Sequence, residues 1–413
     1  MIDKMSKLTT LIMAGGRGER LFPLTRDKAK PAVTFGGIYK IIDFTLSNCI
    51  NSGIRQIYVL TQYGSFSLDH HLRMAWEVVN PEMGEYIYTI PPQQVMVNRW
   101  YRGTADSIYQ NISILQSERP AYVLILSGDH VYKMNYLEML NYHIEKKADM
   151  TAACVEFPRL ESTGFGVLHV DADHRIINFL EKPKDPPGIP GNPEFSLANM
   201  GIYIFNTEVL VQEVIRDARL PDSDHDFGKN IIPSMVQRAM RVYSYSFRDE
   251  NKKEVLYWRD IGRIDAYFEA NMDLVAIDPV FNLYDPSWPI RTYQRQCPPA
   301  KTIFGGDPGH IRPALVEDSL MANGCIISGA TVQRSILSPN VRVDYYADVA
   351  DSIIFDDVHI GPRARVRRAI IEEGVKVPAG YTIGYDRELD VRRFPVSDGG
   401  VVIVPNNIDL QED

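Results

Sequence analysis

The sequence predicts an α/β protein of two domains, in which a mostly parallel sheet with helices on both faces is followed by a parallel β-helix. Two observations carry this prediction. Strand-like and helix-like segments alternate over residues 1–275, and aliphatic residues recur every 17 positions in the C-terminal tail. The length of 413 residues also suits two domains better than one.

The N-terminal domain, residues 1–275, is expected to be Rossmann-like because helix-like stretches separate its short apolar segments. The expected strands are Leu8–Ala14, Gln56–Thr61, Tyr122–Leu126, Met150–Glu156 and Met200–Phe205, and the expected helices are Ser67–Val79, Ala105–Ser117 and Tyr136–Lys147. In sheets of this kind, ligands bind at the carboxyl ends of the strands. Residues that directly follow a predicted strand are therefore the first candidates for a functional site.

Residues 276–310 differ from both neighbours and are predicted to form a packed linker. Prolines at positions 279, 286, 289, 298, 299 and 308 interrupt helix and strand. The aromatic residues Phe281, Tyr284 and Trp288 favour burial. We therefore expect the linker to lie against a domain.

Residues 311–413 are predicted to form a β-helix of the hexapeptide-repeat type. Three aliphatic series each step by 17 residues: Ile326, Val343, Ile360 and Val377; Val332, Val349, Val366 and Ile383; Leu337, Ile354 and Ile371. This spacing gives three short strands per turn, each with one inward aliphatic residue. Leu315 and Leu320 fall one period earlier, which puts the first coil near residue 311. Hexapeptide helices wind left-handed, so a left-handed parallel β-helix is expected, although the period alone does not give the hand.

Composition and charge limit the kind of protein. The formal net charge is −9, from 44 Lys and Arg against 53 Asp and Glu, which argues against a nucleic-acid or membrane-surface binder. The four cysteines are scattered and form no CxxC pair, so a reducing compartment and no zinc site are expected. No signal-like apolar block and no run of 18 apolar residues occurs, so the protein is expected to be cytoplasmic.

A glycine-rich loop follows the first predicted strand and reads Gly15-Gly16-Arg17-Gly18-Glu19-Arg20. Glycines after a strand let backbone N–H groups approach a phosphate, and Arg17 and Lys30 add positive charge. The loop is not a P-loop, because Lys30 is followed by proline. It is not a dinucleotide fingerprint either, because Leu21 stands where the third glycine is needed. The loop therefore predicts a nucleoside triphosphate site.

Three charged residues elsewhere are candidates for the same site. Asp129 follows the predicted strand Tyr122–Leu126, and Asp260 precedes a turn at Gly262. Carboxylate oxygens suit Mg²⁺, which usually binds one or two carboxylates together with substrate phosphates. For Asp260, helix capping is an open alternative. Lys182 precedes a proline and could equally be a solvated lysine at a strand end.

Several strings in the sequence resemble bacterial glucose-1-phosphate adenylyltransferases almost from end to end. They are residues 29–33, 41–44, 46–53, 61–63, 100–106, 225–228, 257–262, 288–292 and 298–301. The resemblance implies a Mg²⁺-dependent enzyme that converts ATP and glucose 1-phosphate to ADP-glucose and pyrophosphate, the committed step of bacterial glycogen synthesis. It also implies a homotetramer regulated by small-molecule effectors through its β-helix domain.

The resemblance also implies roles for individual residues. Gly15, Gly16, Arg17, Lys30, Gln62, Gln94 and Gly103 would bind ATP. Tyr101, Gly166, Glu181, Lys182 and Asn199 would bind glucose 1-phosphate, with Asn199 standing where many members have serine. Asp129 and Asp260 would hold Mg²⁺ and, with Arg17 and Lys30, form the catalytic set. Lys28, Lys40 and Arg368 are candidate effector contacts, but Asp27, Thr34 and Ser117 stand where relatives carry basic residues, so the effector stays unassigned.

Three alternatives stay open at this point. The chain could use UTP or dTTP with the same sugar phosphate, since base choice depends on a few loop contacts. It could carry an added acetyltransferase activity on the β-helix, where His359 is the one evident histidine that could serve an acceptor site. It could also be a non-catalytic regulatory subunit, although the expected charged residues are all present.

Overall fold

The computed structural model describes residues 7–92 and 100–410. Within these ranges, nine strands form one mixed sheet in the N-terminal domain. They are Leu8–Ala14, Gln56–Thr61, Tyr86–Ile90, Tyr122–Ser127, Met150–Pro158, Gly166–Val170, Ile176–Glu181, Phe195–Asn206 and Val242–Ser246. Leu8–Ala14 lies between Tyr122–Ser127 and Gln56–Thr61 and runs parallel to both, which explains why it is apolar on both faces.

The predicted mostly parallel sheet is confirmed around Leu8–Ala14, and on its far side antiparallel pairs occur beside the parallel pair of Val242–Ser246 with Met150–Pro158. The predicted strand Met200–Phe205 is part of the longer strand Phe195–Asn206, which runs antiparallel to Tyr122–Ser127. Phe195–Asn206 is also antiparallel to Met150–Pro158 and Gly166–Val170. An apolar strand pattern does not distinguish the two directions, because this strand is covered on both faces in the same way.

Helices cover the sheet where helix-like segments were expected. The α-helices are Ile41–Asn51, Ser65–Trp76, Thr104–Gln110, Ile112–Glu118, Tyr136–Glu145, Thr207–Ala218, Ile232–Gln237, Ile264–Met272 and, in the C-terminal domain, Arg387–Arg393. The prediction of a single helix over Ala105–Ser117 is wrong, because Asn111 interrupts the helix and divides it into Thr104–Gln110 and Ile112–Glu118. The Asn111 amide donates to the Ser107 carbonyl at 2.8 Å and to the Tyr101 hydroxyl at 3.0 Å, which favours a non-helical backbone there. No helix in the described ranges is long and apolar enough to cross a bilayer.

Short elements complete the N-terminal domain. Single helical turns span Glu19–Leu21, Lys30–Ala32, Pro81–Met83, Arg159–Gly164, Phe227–Ile231 and Asp273–Val275, and a small hairpin pairs Thr34–Phe35 with Tyr39–Lys40. The strand His130–Tyr132 pairs antiparallel with Trp258–Asp260, with His130 opposite Asp260. This pairing joins two segments that are far apart in the sequence at one edge of the sheet.

The C-terminal domain consists of three parallel five-stranded sheets, as the 17-residue period predicts. The first contains Lys301–Ile303, Ile326–Ser328, Arg342–Val343, His359–Ile360 and Lys376–Val377. The second contains Leu315–Glu317, Thr331–Gln333, Asp348–Ala350, Arg365–Arg367 and Thr382–Ile383. The third contains Leu320–Met321, Ile336–Leu337, Ile353–Ile354, Ala369–Ile371 and Val402–Val404. Val332, Val349, Val366 and Ile383 stack in register and, like most of the predicted series, are fully buried.

The first and last coils depart from the period. Ile327, not Ile326, stacks under Val343, and Val316 and Met321 take the positions predicted for Leu315 and Leu320, because the first turn is one residue shorter. The strand Lys301–Ile303 lies inside the predicted linker and already pairs with the β-helix. A short hairpin, Gly305–Asp307 with His310–Arg312, follows it, and the helix Arg387–Arg393 interrupts the last coil.

The two domains share a buried apolar core. Ile353, Phe355 and Ile370 on the β-helix belong to one buried cluster with Phe44 and Phe281 of the N-terminal part. Burial of the linker residue Phe281, and also of Trp288, was predicted and is confirmed. The prediction for Tyr284 is wrong, since that side chain is exposed. The linker therefore packs into the seam between the domains.

Candidate active site

The glycine loop lines a cavity of about 640 Å³ at the carboxyl end of Leu8–Ala14. Gly15, Gly16, Arg17, Lys30 and Asp129 all line this cavity. Gly18 adopts φ +64°, and a methyl group at this position would come within 3.0 Å of the Lys30 Cβ atom. The loop therefore needs glycine both for its backbone conformation and for its close approach to Lys30.

Three charged side chains and a histidine meet beside this cavity, and two of them, Lys30 and Asp129, line it. The Lys30 Nζ atom lies 2.7 Å from Asp129 Oδ2 and 3.6 Å from Asp260 Oδ1. The His130 Nε2 atom lies 3.5 Å from Asp129 and 3.7 Å from Asp260. The antiparallel pairing of His130–Tyr132 with Trp258–Asp260 is what brings Asp260 to Asp129. The structure thus brings together the carboxylates and the lysine that the sequence nominated separately.

Asp129 stays ionised in this environment. Burial alone would raise the pKa of Asp129, but the charges of Lys30 and His130 and the hydrogen bonds from Lys30 and Ser127 together hold it well below its usual range. Ser127 and His130 were not nominated as site residues from the sequence. The signal available for them was position, since both flank Asp129 directly after a buried strand.

The cluster has a donor set that fits a hard divalent cation. One ligand atom from each of Asp129, His130 and Asp260 lies within 4.8 Å of the others. Two carboxylates are the ligands that Mg²⁺ prefers, whereas imidazole nitrogen suits zinc and the transition metals better. The Nδ1 atom of His130 is buried and makes no hydrogen bond within the described residues. The two carboxylates, rather than the histidine, are therefore the candidate ligands.

A second cavity of about 330 Å³ adjoins the first, and both are lined by Gly15, Gly16 and Arg17. The expected ATP contacts Gln62 and Gly103 line this second cavity. Tyr101, expected to contact glucose 1-phosphate, lines it too, and its backbone N–H donates to Gln62 Oε1 at 3.0 Å. Gln94, another expected ATP contact, falls outside the residues that the structure describes.

The loop at Gly103 is held by a second loop that sequence reasoning did not include in the site. A methyl group at Gly103 would lie 2.3 Å from the Asp224 carbonyl oxygen, so only glycine fits. The Thr104 hydroxyl donates to Asp226 at 3.0 Å and accepts from the Phe227 N–H at 3.0 Å. The segment His225-Asp226-Phe227-Gly228 is one of those that resemble the family, and this resemblance was the signal available for its role here.

The same loop reaches the residues expected to bind glucose 1-phosphate. Gly166 pairs with Glu181, and methyl groups at Gly166 and Gly228 would lie 2.6 and 2.8 Å from the Phe179 ring. The Phe179 ring is thus packed against both glycines. The loop 225–228 therefore connects the nucleotide side of the site to the end of Ile176–Glu181.

Lys182 and Asn199 lie at the open side of this region. Lys182 adopts φ +47°, its N–H donates to the Phe165 carbonyl at 3.0 Å, and its Nζ atom lies 3.9 Å from Glu181. The Asn199 amide donates to the Tyr203 hydroxyl at 2.8 Å. Asn199 is one residue beyond the contact between the strands Phe195–Asn206 and Gly166–Val170. The expected sugar-phosphate contacts other than Tyr101 thus lie on, or directly after, three neighbouring strands, Ile176–Glu181, Gly166–Val170 and Phe195–Asn206.

The candidate effector residues do not share one cavity. Lys28 Nζ lies 3.4 Å from Glu373 on the β-helix, and Lys40 donates to Thr34 at 2.7 Å. Arg368 lies over the Phe268 ring at 5.2 Å, in a separate cleft of about 500 Å³. The effector role of these residues stays a prediction, and it now concerns two places in the seam.

Comparison with known proteins matches both domains. The nucleotidyl transferase family model covers residues 9–276, and the model for the GlmU-like C-terminal hexapeptide covers residues 298–404. Proteins named glucose-1-phosphate adenylyltransferase are similar over nearly their whole length. The protein from Koribacter versatilis is 52% identical over 97% of this chain and 96% of its own. The proteins from Rhodopirellula baltica and Methylococcus capsulatus are 50% and 49% identical over 97% and 98% of this chain, and 90% and 94% of their own.

These matches agree with the site geometry. Both domains are matched in the order in which the structure has them, and a cavity with convergent cations lies where a nucleotidyl transfer enzyme needs it. The chain is therefore an enzyme of the nucleotidyl transferase family and belongs to the glucose-1-phosphate adenylyltransferases.

Proposed function

We propose that this enzyme transfers the adenylyl group of ATP to glucose 1-phosphate and releases ADP-glucose and pyrophosphate. The observation that carries the proposal is the meeting of Lys30, Asp129 and Asp260 beside the glycine-loop cavity. Its relatives are named glucose-1-phosphate adenylyltransferase, which supports the choice of ATP and glucose 1-phosphate.

The reaction needs positioning and charge neutralisation more than acid–base chemistry. A phosphate oxygen of glucose 1-phosphate attacks the α-phosphorus of ATP, and the bond from the α-phosphorus to the bridging oxygen breaks as pyrophosphate leaves. Two polyanions must approach each other, so fixed cations lower the barrier. We assign the triphosphate to Arg17, Lys30 and the backbone of the glycine loop. We assign glucose 1-phosphate to Tyr101, Gly166, Glu181, Lys182 and Asn199, and the adenosine to Gln62 and Gly103.

We further propose that Asp129 and Asp260 hold Mg²⁺. When bound, the ion supplies a Lewis acid that neutralises charge on the phosphate oxygens. The two carboxylates lie 2.7 and 3.6 Å from the single Lys30 ammonium group, and this contact lowers the pKa of Asp129. The presence of two neighbouring carboxylates and the lowered pKa of Asp129 support this assignment.

The assembly, location and regulation that we propose are those that the family resemblance implies. We propose a homotetrameric, cytoplasmic enzyme that serves glycogen synthesis and is controlled by small-molecule effectors. Lys28 and Lys40 at the domain seam, and Arg368 in its own cleft, are the proposed effector contacts. Because Arg368 lies in a cleft of its own and Lys28 pairs with Glu373 elsewhere, we propose two separate effector surfaces rather than one.

Pyrophosphate release with ATP and glucose 1-phosphate tests the function directly. With Mg²⁺, we expect ATP to exceed UTP and dTTP by at least about ten-fold in kcat/KM, because base contacts discriminate by about this much or more. Omitting glucose 1-phosphate must abolish release, which separates transfer from ATP hydrolysis. Faster turnover with UTP or dTTP would overturn the choice of nucleotide, and no turnover with any nucleotide would favour a regulatory subunit. Radiolabelled acetyl transfer from acetyl-CoA tests the third alternative.

A further inference from the structure

We propose that Tyr63 is a positioning residue that aims the Arg17 guanidinium at the phosphates of the nucleotide. The Arg17 Cζ atom lies 4.7 Å from the centre of the Tyr63 ring. The same ring stacks with Trp100 at 4.9 Å, with an angle of 15° between the planes. The inference rests on the proposed function, because it assigns the nucleotide to the cavities beside this stack.

The stack stands where the two cavities meet. Arg17 lines both cavities, and Tyr63 lines the second. Arg17 also forms an ion pair with Glu19 at 3.4 Å, but both side chains are more than half exposed, at 61% and 74%. An exposed ion pair of this kind holds a guanidinium only weakly. The aromatic contact is therefore the stronger orienting element.

Stacking suits this task because of the shape of the guanidinium group. Its N–H donors lie in the plane of the group, so a ring against its face leaves them available for phosphate oxygens. A carboxylate partner would instead occupy those donors. Tyr63 can thus hold Arg17 through its ring, with its hydroxyl as a further partner of the guanidinium, while the other N–H donors stay available to the ligand.

The main chain on either side of Tyr63 is itself fixed. Gln62 accepts a hydrogen bond from the Tyr101 N–H at 3.0 Å, and the Gly64 carbonyl accepts one from the Ala29 N–H at 3.3 Å. Ala29 directly precedes Lys30. Hydrogen bonds therefore fix the backbone on both sides of Tyr63. This restricts the ring and, through the ring, the Arg17 guanidinium.

Substitution of Tyr63 tests the inference through a kinetic split. Tyr63→Leu should lower kcat/KM for ATP by about five- to ten-fold, the loss expected from one partly exposed cation–π contact. The KM for glucose 1-phosphate should change by less than about two-fold, because its expected contacts other than Tyr101 lie on or directly after the strands Ile176–Glu181, Gly166–Val170 and Phe195–Asn206, away from Tyr63. Tyr63→Phe keeps the ring and loses only the contact of the hydroxyl with Arg17, so its kcat/KM for ATP should lie within about two-fold of wild type.

Tyr88→Leu is the matched control. Tyr88 stacks on Tyr86 at 4.9 Å with an angle of 5°, and it is half exposed, but no arginine lies on that pair among the described contacts. Its loss should leave kcat/KM for ATP within about two-fold of wild type. An equal effect of the two leucine substitutions would overturn the inference.

A double-mutant cycle shows whether Tyr63 acts through Arg17. Arg17→Lys keeps the charge but loses the planar group, so Tyr63→Leu should cost less than about two-fold in that background. An undiminished loss in that background would contradict a positioning role and indicate a separate structural one. If wild-type protein releases no pyrophosphate from ATP and glucose 1-phosphate, the proposed function fails instead, and the two failures are thus distinct.

Discussion

One short stretch of chain carries Lys28, Lys30 and Lys40, yet these lysines belong to two different charge clusters. Lys30 lines a cavity and faces two carboxylates, at 2.7 and 3.6 Å. Lys28 faces Glu373 on the β-helix, across the seam between the domains. We refer to these as the catalytic cluster (Lys30, Asp129, His130 and Asp260) and the seam cluster (Arg26, Lys28, Lys40, Asp356, Glu372 and Glu373).

The pKa values of the carboxylates shift in opposite directions in the two clusters. Burial works against ionisation in both. At Asp129 the charges of Lys30 and His130 and the hydrogen bonds from Lys30 and Ser127 together outweigh burial and lower the pKa, whereas at Asp356 and Glu372 burial prevails and raises it. Burial also lowers the pKa of Lys40. A catalytic carboxylate is thus kept charged, and the seam carries charges whose burial is only partly compensated.

The largest expected effect breaks the catalytic cluster. Asp129→Asn should lower kcat by at least about 10³-fold, because the amide removes a negative charge that Lys30 and the proposed metal require. The variant should still fold, because the amide occupies the same space, but its thermal midpoint should fall by a few degrees, because the ion pair with Lys30 is lost. Pyrophosphate release and a thermal melt measure the two quantities.

Glu373→Gln is the control from the seam cluster. It removes a carboxylate paired with a lysine, as Asp129→Asn does, but outside the cavity. Its basal kcat should stay within about two-fold of wild type. Activity retained by Asp129→Asn would show that the metal assignment is wrong.

The next effect concerns Gly64, which lies between the two clusters. Gly64 has φ +55°, and a methyl group there would lie 2.7 Å from the Ala29 backbone nitrogen, directly before Lys30. Gly64→Ala should therefore shift the segment Lys28–Lys30 and lower kcat/KM for ATP by about ten-fold, since small misplacements of catalytic groups are costly. Steady-state kinetics with varied ATP measures this loss.

Gly84→Ala separates the collision from backbone strain. Gly84 also has a positive φ, +75°, but nothing lies within 4 Å of the position of its added methyl group. It should cost about 1–2 kcal/mol of stability, the usual penalty of a left-handed residue, with no kinetic effect. Equal kinetic behaviour of the two variants would mean that Gly64 does not link the clusters.

A smaller effect tests the seam as an anion site. If Lys28 and Lys40 contact an anionic effector, the ligand competes with Glu373 for Lys28. Glu373→Gln should then strengthen the binding of inorganic phosphate, and about 10 mM phosphate should raise its thermal midpoint by about 1–2 °C more than that of wild type. Sulfate and chloride at equal ionic strength are the controls. The same shift in both proteins would argue against competition at Lys28.

The β-helix shows how far a repeat can be predicted from sequence. Val349 and Val366 were placed correctly because each turn repeats the same chemistry at the same spacing. The first turn was misplaced by one residue, because Ile326 and Ile327 are both isoleucine and the pattern cannot tell which one points inward. A pattern of residue types fixes a register only where an apolar residue stands beside polar ones.

The active site was predictable where a local rule applied. Asp129 follows a buried strand, and this position alone made it a candidate. The meeting of Asp260 with Asp129 depends on a two-stranded pairing between distant segments, which no spacing reveals. Thr104 was missed for the same reason, since its partner Asp226 is distant in the sequence. For Lys28 and Lys30, local sequence could not say which carboxylate each would meet.

The smallest expected effect is a pH dependence at the seam. Glu372 is almost fully buried, accepts the Asn406 N–H at 3.0 Å, and lies 3.8 Å from Arg26, with the charges of Lys28 and Glu373 nearby. Burial raises its folded pKa above the unfolded value. The folded protein therefore takes up a proton first as the pH falls, so this group's contribution to stability rises as the pH falls through the folded pKa and is lost as it rises again.

Glu372→Gln removes this titration while keeping an acceptor for the Asn406 N–H. At pH 7.5 the variant should melt about 1–2 °C above wild type, because it no longer buries a charge that Arg26 and Lys28 compensate only in part. As the pH falls through the folded pKa of Glu372, the difference should shrink towards zero. Thermal melts from pH 7.5 to 4 measure it, with Glu388→Gln on the short helix Arg387–Arg393 as an exposed control. A variant that melts below wild type at pH 7.5, with a deficit that shrinks as the pH falls, would mean that Arg26 and Lys28 stabilise the Glu372 carboxylate, and the seam would then resemble the catalytic cluster after all.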